Sequence, residues 1–134
     1  MTNLLKLYFI CLVVFCTIDF FWTGFIAKNW YQRELGYLLA DSIQWIPVVL
    51  FYLLYAGGLL LFAVLPALEA ASWRLALLYG AALGLISYAA YDLTNLATIR
   101  NWPVMLAVSD IFWGSFVSAS TSYIVFFLAQ RLRM

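Results

Sequence analysis

A chain of 134 residues in which 67% are apolar or aromatic and only 10% charged, with a mean hydropathy of +0.99, departs from soluble domains, which run at roughly half apolar and a quarter charged. Seven basic and six acidic residues, a net charge of +1 and no histidine leave too little charge to solvate such a surface. They also provide no basic patch for nucleic acid and no imidazole for metal or proton chemistry near neutral pH. A water-soluble enzyme, a nucleic-acid binder and a disordered tail are excluded, and the partner that the composition demands is a lipid bilayer.

A hydrocarbon core of ~30 Å takes about 20 apolar residues as helix, at ~1.5 Å per residue, and four segments satisfy this. The first covers about 3–27. It is too long for a signal-peptide core, is interrupted by Asp19 and has no small-residue cleavage site after it, so it is expected to stay as a span. Its two cysteines, Cys11 and Cys16, are five residues apart and off a common helical face, which suits buried small hydrophobes and neither a disulfide nor a zinc site. Residues 28–41 mix charges with aromatics, as a helix or lid at the headgroup level does. The second span covers about 45–68, opening on Pro47, where a missing N–H does no harm, with Pro66 expected to mark its end. The third covers about 73–99 and the fourth about 103–130, again with proline first. The short connections near Glu69 to Ser72 and Arg100 to Trp102 force the last three spans into an antiparallel series. The expectation is an all-α, single-domain, four-helix antiparallel transmembrane bundle over residues 1–134.

Four spans put both termini on one side, with Lys6, Arg74, Arg131 and Arg133; the opposite side holds Lys28, Arg33 and Arg100. Four cations against three favours cytoplasmic termini.

Half of the acids fall inside spans: Asp19, Asp92 and Asp110. A central Asp opposes insertion by roughly 2.5 to 3.5 kcal/mol, so three amount to roughly 8 to 10 kcal/mol. Whole domains are stable by only about 5 to 15 kcal/mol, so these side chains must face the bundle interior. Asp19 lies seven residues before Ile26, Asp92 seven before Ile99 and Asp110 seven after Pro103. Each is therefore about 10 Å from the surface that carries Lys28, Arg33 and Arg100. Around Asp92, residues Gly84, Tyr88, Tyr91, Asn95 and Thr98 form a polar stripe on an otherwise apolar helix. Asp110 shares a face with Gly114 and Thr121, with Trp113 one turn along; Asp19 neighbours Cys16, Trp22 and Thr23; and Tyr52 and Tyr55 share a face with Trp45. Gly80-xxx-Gly84 offers a flat surface for close helix packing. Asp19-Phe-Phe-Trp22 and Asp110-Ile-Phe-Trp113 echo each other faintly on antiparallel spans.

Three carboxyls in one layer admit several readings. The bland one is protonated Asp side chains fixing helix register through hydrogen bonds. A sharper one is a ligand site for a proton, a small cation or an amphiphile, centred on Asp92 and Asn95, flanked by Asp19 and Asp110, and walled by Trp22, Tyr52, Tyr55, Tyr88, Tyr91, Thr98 and Trp113. An intramembrane enzyme acting on a lipid or isoprenoid substrate is an alternative, with carboxyls as general acid and base or as magnesium ligands, although no dense DDxxD motif occurs. A further alternative is an accessory subunit of a larger membrane complex, or a homo-oligomer. The residues identify no cofactor and no metal.

The string Tyr88-Ala-Ala-Tyr-Asp-Leu-Thr-Asn-Leu-Ala-Thr98, with Phe51-Tyr-Leu-Leu-Tyr-Ala-Gly-Gly58, Asn101-Trp-Pro103 and Asp110-x-x-Trp-Gly114, resembles a bacterial family of small membrane proteins catalogued as a domain of unknown function. Asp19, Trp22 and the stretch from Lys28 to Gly36 fit the same pattern, so the likeness covers nearly the whole chain. The resemblance implies a four-span bacterial inner-membrane protein and supplies no activity, substrate or cofactor.

Overall fold

The computed structural model describes residues 2–134. Helix α1 is Thr2–Phe21 and runs into a π-helical turn, Trp22–Ile26; a short helix α2, Lys28–Leu35, follows. Helix α3, Trp45–Leu59, continues through a second π-helical turn, Leu60–Val64, into α4, Leu65–Glu69. Two long helices complete the chain, α5, Trp73–Thr98, and α6, Val104–Arg131. Four continuous helical stretches, Asn3–Phe25, Trp45–Glu69, Trp73–Thr98 and Val104–Arg131, are long and apolar enough to cross a membrane. Among the described residues there is no strand. These helices begin and end within two residues of the spans expected from the sequence.

Pro66 lies in the last turn of its helical stretch, which ends at Glu69. A proline in a helix lacks the N–H that would bond four residues back, and its ring collides with that carbonyl. Here the preceding turn widens, Leu65 donates its N–H to the Leu60 carbonyl, and the helix passes through Pro66 to Glu69. The turn into α5 uses Ala71 in a left-handed conformation (φ 51°) and Ser72, whose hydroxyl accepts the Leu75 N–H (3.3 Å). The turn into α6 places Asn101 at φ 63°, a position that asparagine tolerates better than most residues. Pro103 then precedes the first turn of α6.

The upper end of the bundle is where α1 and α5 finish and α3 and α6 begin. The closest helix pair is α5 with α6; α1 packs on α6, and α3 on α1. Helix α3 itself makes little contact with α5, which is met instead by Leu60–Val64 and α4. The four-helix ring is thus closed in its lower half and parted between α3 and α5 above. Leu7, Cys11, Phe15, Leu59, Leu60, Val64, Val117 and Val125 are buried in the closed half. Large apolar side chains such as Phe25, Ile46, Leu54 and Phe112 are exposed around the outside, as lipid contact requires.

The seam between α5 and α6 explains the glycine spacing. A Cβ on Gly84 would collide with the carbonyl oxygen of Gly114, and one on Gly80 would fall 2.9 Å from Ala119 Cα. Without side chains at these points the two backbones touch. At Gly114 an added Cβ would enter the ring of Tyr88, so this glycine seats the Tyr88 side chain at the level where the acids begin.

Candidate functional site

The upper half holds Asp19 at 5% exposure and Asp92 at 1%, with Asp110 half-buried. Asp19 projects from the last turn of α1 before the π-helical turn. Its Oδ2 accepts from the Tyr52 hydroxyl (2.5 Å) and its Oδ1 from the Trp113 indole N–H (2.9 Å). Helices α1, α3 and α6 are thereby tied at one carboxyl. Phe15, one turn below Asp19, is fully buried against Tyr52 and Tyr55, at ring-centroid distances of 5.6 and 5.0 Å.

The π-helical turn sets the next contacts. Ala27 donates its N–H to the Trp22 carbonyl (2.7 Å), and this wide turn carries Trp22 and Thr23 to the inside. Trp22 stacks on Trp113, with centroids 4.7 Å apart and planes 12° from parallel. Helix α2 then folds back over the bundle with Ala27 and Leu35 buried and Tyr31 between them on the same face. The Tyr31 hydroxyl donates to Asp110 Oδ1 (3.0 Å) and lies 3.4 Å from the Trp22 indole nitrogen. Burial and the nearby Asp110 hold the Tyr31 phenol above its ordinary pKa, so it remains a donor at any physiological pH. Tyr37, beyond α2, donates to the carbonyls of Arg100 and Asn101 (3.1 and 3.2 Å), which pins the connection to the turn between α5 and α6.

Two cavities result. The larger, about 450 Å³, is lined by Asp19, Trp22, Thr23, Tyr31, Phe51, Ser87, Tyr88, Tyr91, Asp110 and Trp113. The smaller, about 240 Å³, is lined by Asp92, Trp102 and the apolar side chains of Leu35, Leu39 and Leu106. Tyr31, Tyr91 and Asp110 line both. Asp92, Asp110 and Trp102 line the smaller chamber together, and Asp92 Oδ2 and Trp102 Nε1 are buried there without a hydrogen-bond partner. Such orphaned groups are uncommon in folded proteins.

Of the residues singled out in the sequence, Asp19, Trp22, Tyr88, Tyr91, Asp110 and Trp113 surround the larger cavity, and Tyr52 reaches it through Asp19. Asp92 faces the smaller chamber instead. Tyr55 lies deeper, bonded to Ser118 (2.6 Å). Asn95 and Thr98, one and two turns nearer the surface than Asp92, line neither cavity; the Thr98 hydroxyl bonds back to the Thr94 carbonyl (2.8 Å). The layer therefore centres on Asp19 and Asp110 rather than on Asp92 and Asn95. Tyr31 and Trp102 are additions that the sequence reading lacked. The i, i+4 spacing of Ala27, Tyr31 and Leu35 is the signal that would have found the first.

Among the described residues the one ion pair joins Arg33 and Glu34 (3.7 Å) at the surface, and none of these residues brings a cation to the three acids. Among the described residues no three His, Cys, Asp or Glu side chains converge to hold a metal ion. What the arrangement offers is carboxyl oxygens beside a wall of aromatic faces, the chemistry that receives an organic cation. Comparison with curated proteins and with solved structures gives no match. The model of the predicted membrane protein family DUF2177, in contrast, matches residues 4–127 and with them every residue of both cavity walls, and the chain belongs to that family.

Proposed function

We propose that this membrane protein binds an organic cation, or the cationic head of an amphiphile, in the larger upper cavity. The observation that carries this reading is that Asp19 and Asp110 open on one aromatic-walled space of about 450 Å³ while, among the described residues, no cation pairs with them. The volume falls within the range of small-molecule sites. Asp19 is already satisfied by two donors, so its role is to position Tyr52 and Trp113 and to add negative potential; Asp110, with Tyr31 as its partner, is the direct acceptor. Trp22, Trp113 and Tyr88 present ring faces to the cationic body.

Binding is favoured over passage across the membrane. Below the acid layer lies the packed cluster around Phe15, Leu59, Val64 and Val125, and the buried hydroxyls of Ser118 and Ser122 press against Gly84 and Gly80 in the helix seam. We place the protein in a bacterial inner membrane with cytoplasmic termini, supported by the family resemblance and by the four-to-three distribution of cations at the span ends.

The test is a titration of propylamine into the purified protein in phosphatidylglycerol nanodiscs, followed by tryptophan fluorescence. A saturable change that weakens at least tenfold in Asp110→Asn, whose side-chain oxygen still accepts from Tyr31, supports the proposal. No saturable change, or equal binding by both proteins, overturns it.

A further inference from the structure

The parted upper helices leave more than the acid-lined cavity. Between α3 and α5 runs an apolar groove of about 480 Å³, lined by Leu53, Leu54, Gly57, Gly58, Leu61 and Leu83 among others. It is open on its outer side, where Leu54 is 79% exposed. Phe51 and Ser87 belong to the walls of both this groove and the larger cavity, so the two spaces adjoin. From Phe51 to Phe62 the groove follows α3 for about 16 Å, at ~1.5 Å per residue, the length of a medium acyl chain.

The two glycines in it differ from those of the seam. A Cβ at Gly58 would meet only Leu83 Cδ2 at 4.0 Å, and one at Gly57 only Tyr8 Cε2 at 3.8 Å, both ordinary contacts. Neither glycine has a positive φ. Each weakens a helix relative to alanine, and packing within the chain requires neither. What they do is keep the groove empty beside a pocket of carboxyls. In the chamber adjoining that pocket, Asp92 is 1% exposed and its Oδ2 has no partner, which marks an unmet polar demand at the same end.

We infer that the occupant is a single-chain cationic amphiphile that enters sideways from the upper leaflet between α3 and α5, its tail in the Gly57/Gly58 groove and its head at Asp110. This rests on the cation-binding reading above and adds the tail and the route. A neutral or anionic amphiphile would bring no positive charge to the carboxyls, and a short cation would leave the groove unfilled.

The experiment uses dodecylamine carrying a diazirine in its chain, photolysed with the protein in phosphatidylglycerol nanodiscs, and a dodecanol analogue with the same diazirine. Adducts are mapped by peptide mass spectrometry. The inference predicts amine adducts concentrated on residues 53–61 and 83–87, displaced by unlabelled dodecylamine, and reduced at least tenfold in Gly58→Phe, with the alcohol labelling these residues weakly. Gly58→Leu serves as the smaller plug should the Phe variant not fold. The propylamine titration is repeated on the plugged variants, where binding at the wild-type level separates tail from head. Adducts spread over lipid-facing residues such as Phe112 and Phe116 without displacement, or unchanged labelling in the plugged variants, overturn the tail assignment while leaving the head site standing. Failure of propylamine to bind the wild type overturns the head site and the tail assignment with it.

Discussion

On one side of this bundle α5 and α6 touch backbone to backbone; on the other, α3 and α5 stand apart for most of the length of α3. Both boundaries contain glycine pairs, Gly80 and Gly84 in the seam, Gly57 and Gly58 in the gap, and what a Cβ would meet distinguishes them. In the seam it strikes the neighbouring backbone; in the gap it meets the end of a side chain at van der Waals distance. A small residue in a membrane helix is thus not by itself evidence of helix packing. The difference also locates the cavity, because the seam stops at Gly114, where the Tyr88 ring takes over, and above that level aromatic side chains keep the helices separated.

The sharpest way to break this contrast is Gly84→Ala. Its Cβ would run into the Gly114 carbonyl, so the helices must move apart, with a loss of about 3 kcal/mol seen as a lowered melting temperature in mild detergent. Gly58→Ala should gain about 0.5 to 1 kcal/mol from helix propensity; equal losses for the two would remove the distinction. Gly114→Ala comes next at about 2 kcal/mol, since the Tyr88 ring must swing away, and near-ultraviolet circular dichroism should report the displaced aromatics. Asp19→Asn keeps one acceptor oxygen and strands either the Tyr52 or the Trp113 donor, for about 1 to 2 kcal/mol and an altered tryptophan emission. The smallest effect is Tyr31→Phe, which removes the bond to Asp110 for about 1 kcal/mol or less. Amide exchange should then rise in residues 28–35 and stay unchanged in the seam, whereas a uniform rise would mean that α2 is no separate cover.

Much of this architecture is legible in the chain. Runs of about 20 apolar residues fix the spans closely, since little but a helix satisfies the backbone in lipid, and counting from span ends puts the three acids in one layer. The bonds from Tyr52 and Trp113 to Asp19 do not follow from that depth, because they depend on which helices are neighbours. The π-helical turn Leu60–Val64 that accommodates Pro66 is not legible, because it departs from regular periodicity. Tyr31 and Trp102 escape because they lie in connections, and how a connection folds over a bundle is set by tertiary contacts such as Tyr37 to the Arg100 carbonyl. Asn95 and Thr98 share the helical stripe of Asp92 but rise past the cavity, which periodicity, being blind to where a neighbouring helix ends, does not show. The parting of α3 from α5 likewise depends on which turns touch, and no single helix encodes it.

In the proposed reading, carboxyls that no cation of the described residues meets, set among aromatic faces, hold a cationic molecule. Native mass spectrometry of the protein purified in mild detergent, beside Asp110→Asn verified by helicity and melting, tests it most directly. The expected result is one retained molecule per chain carrying a basic nitrogen, absent from the variant. Two equally stable and equally empty proteins, or the same neutral or anionic lipid on both, would contradict it.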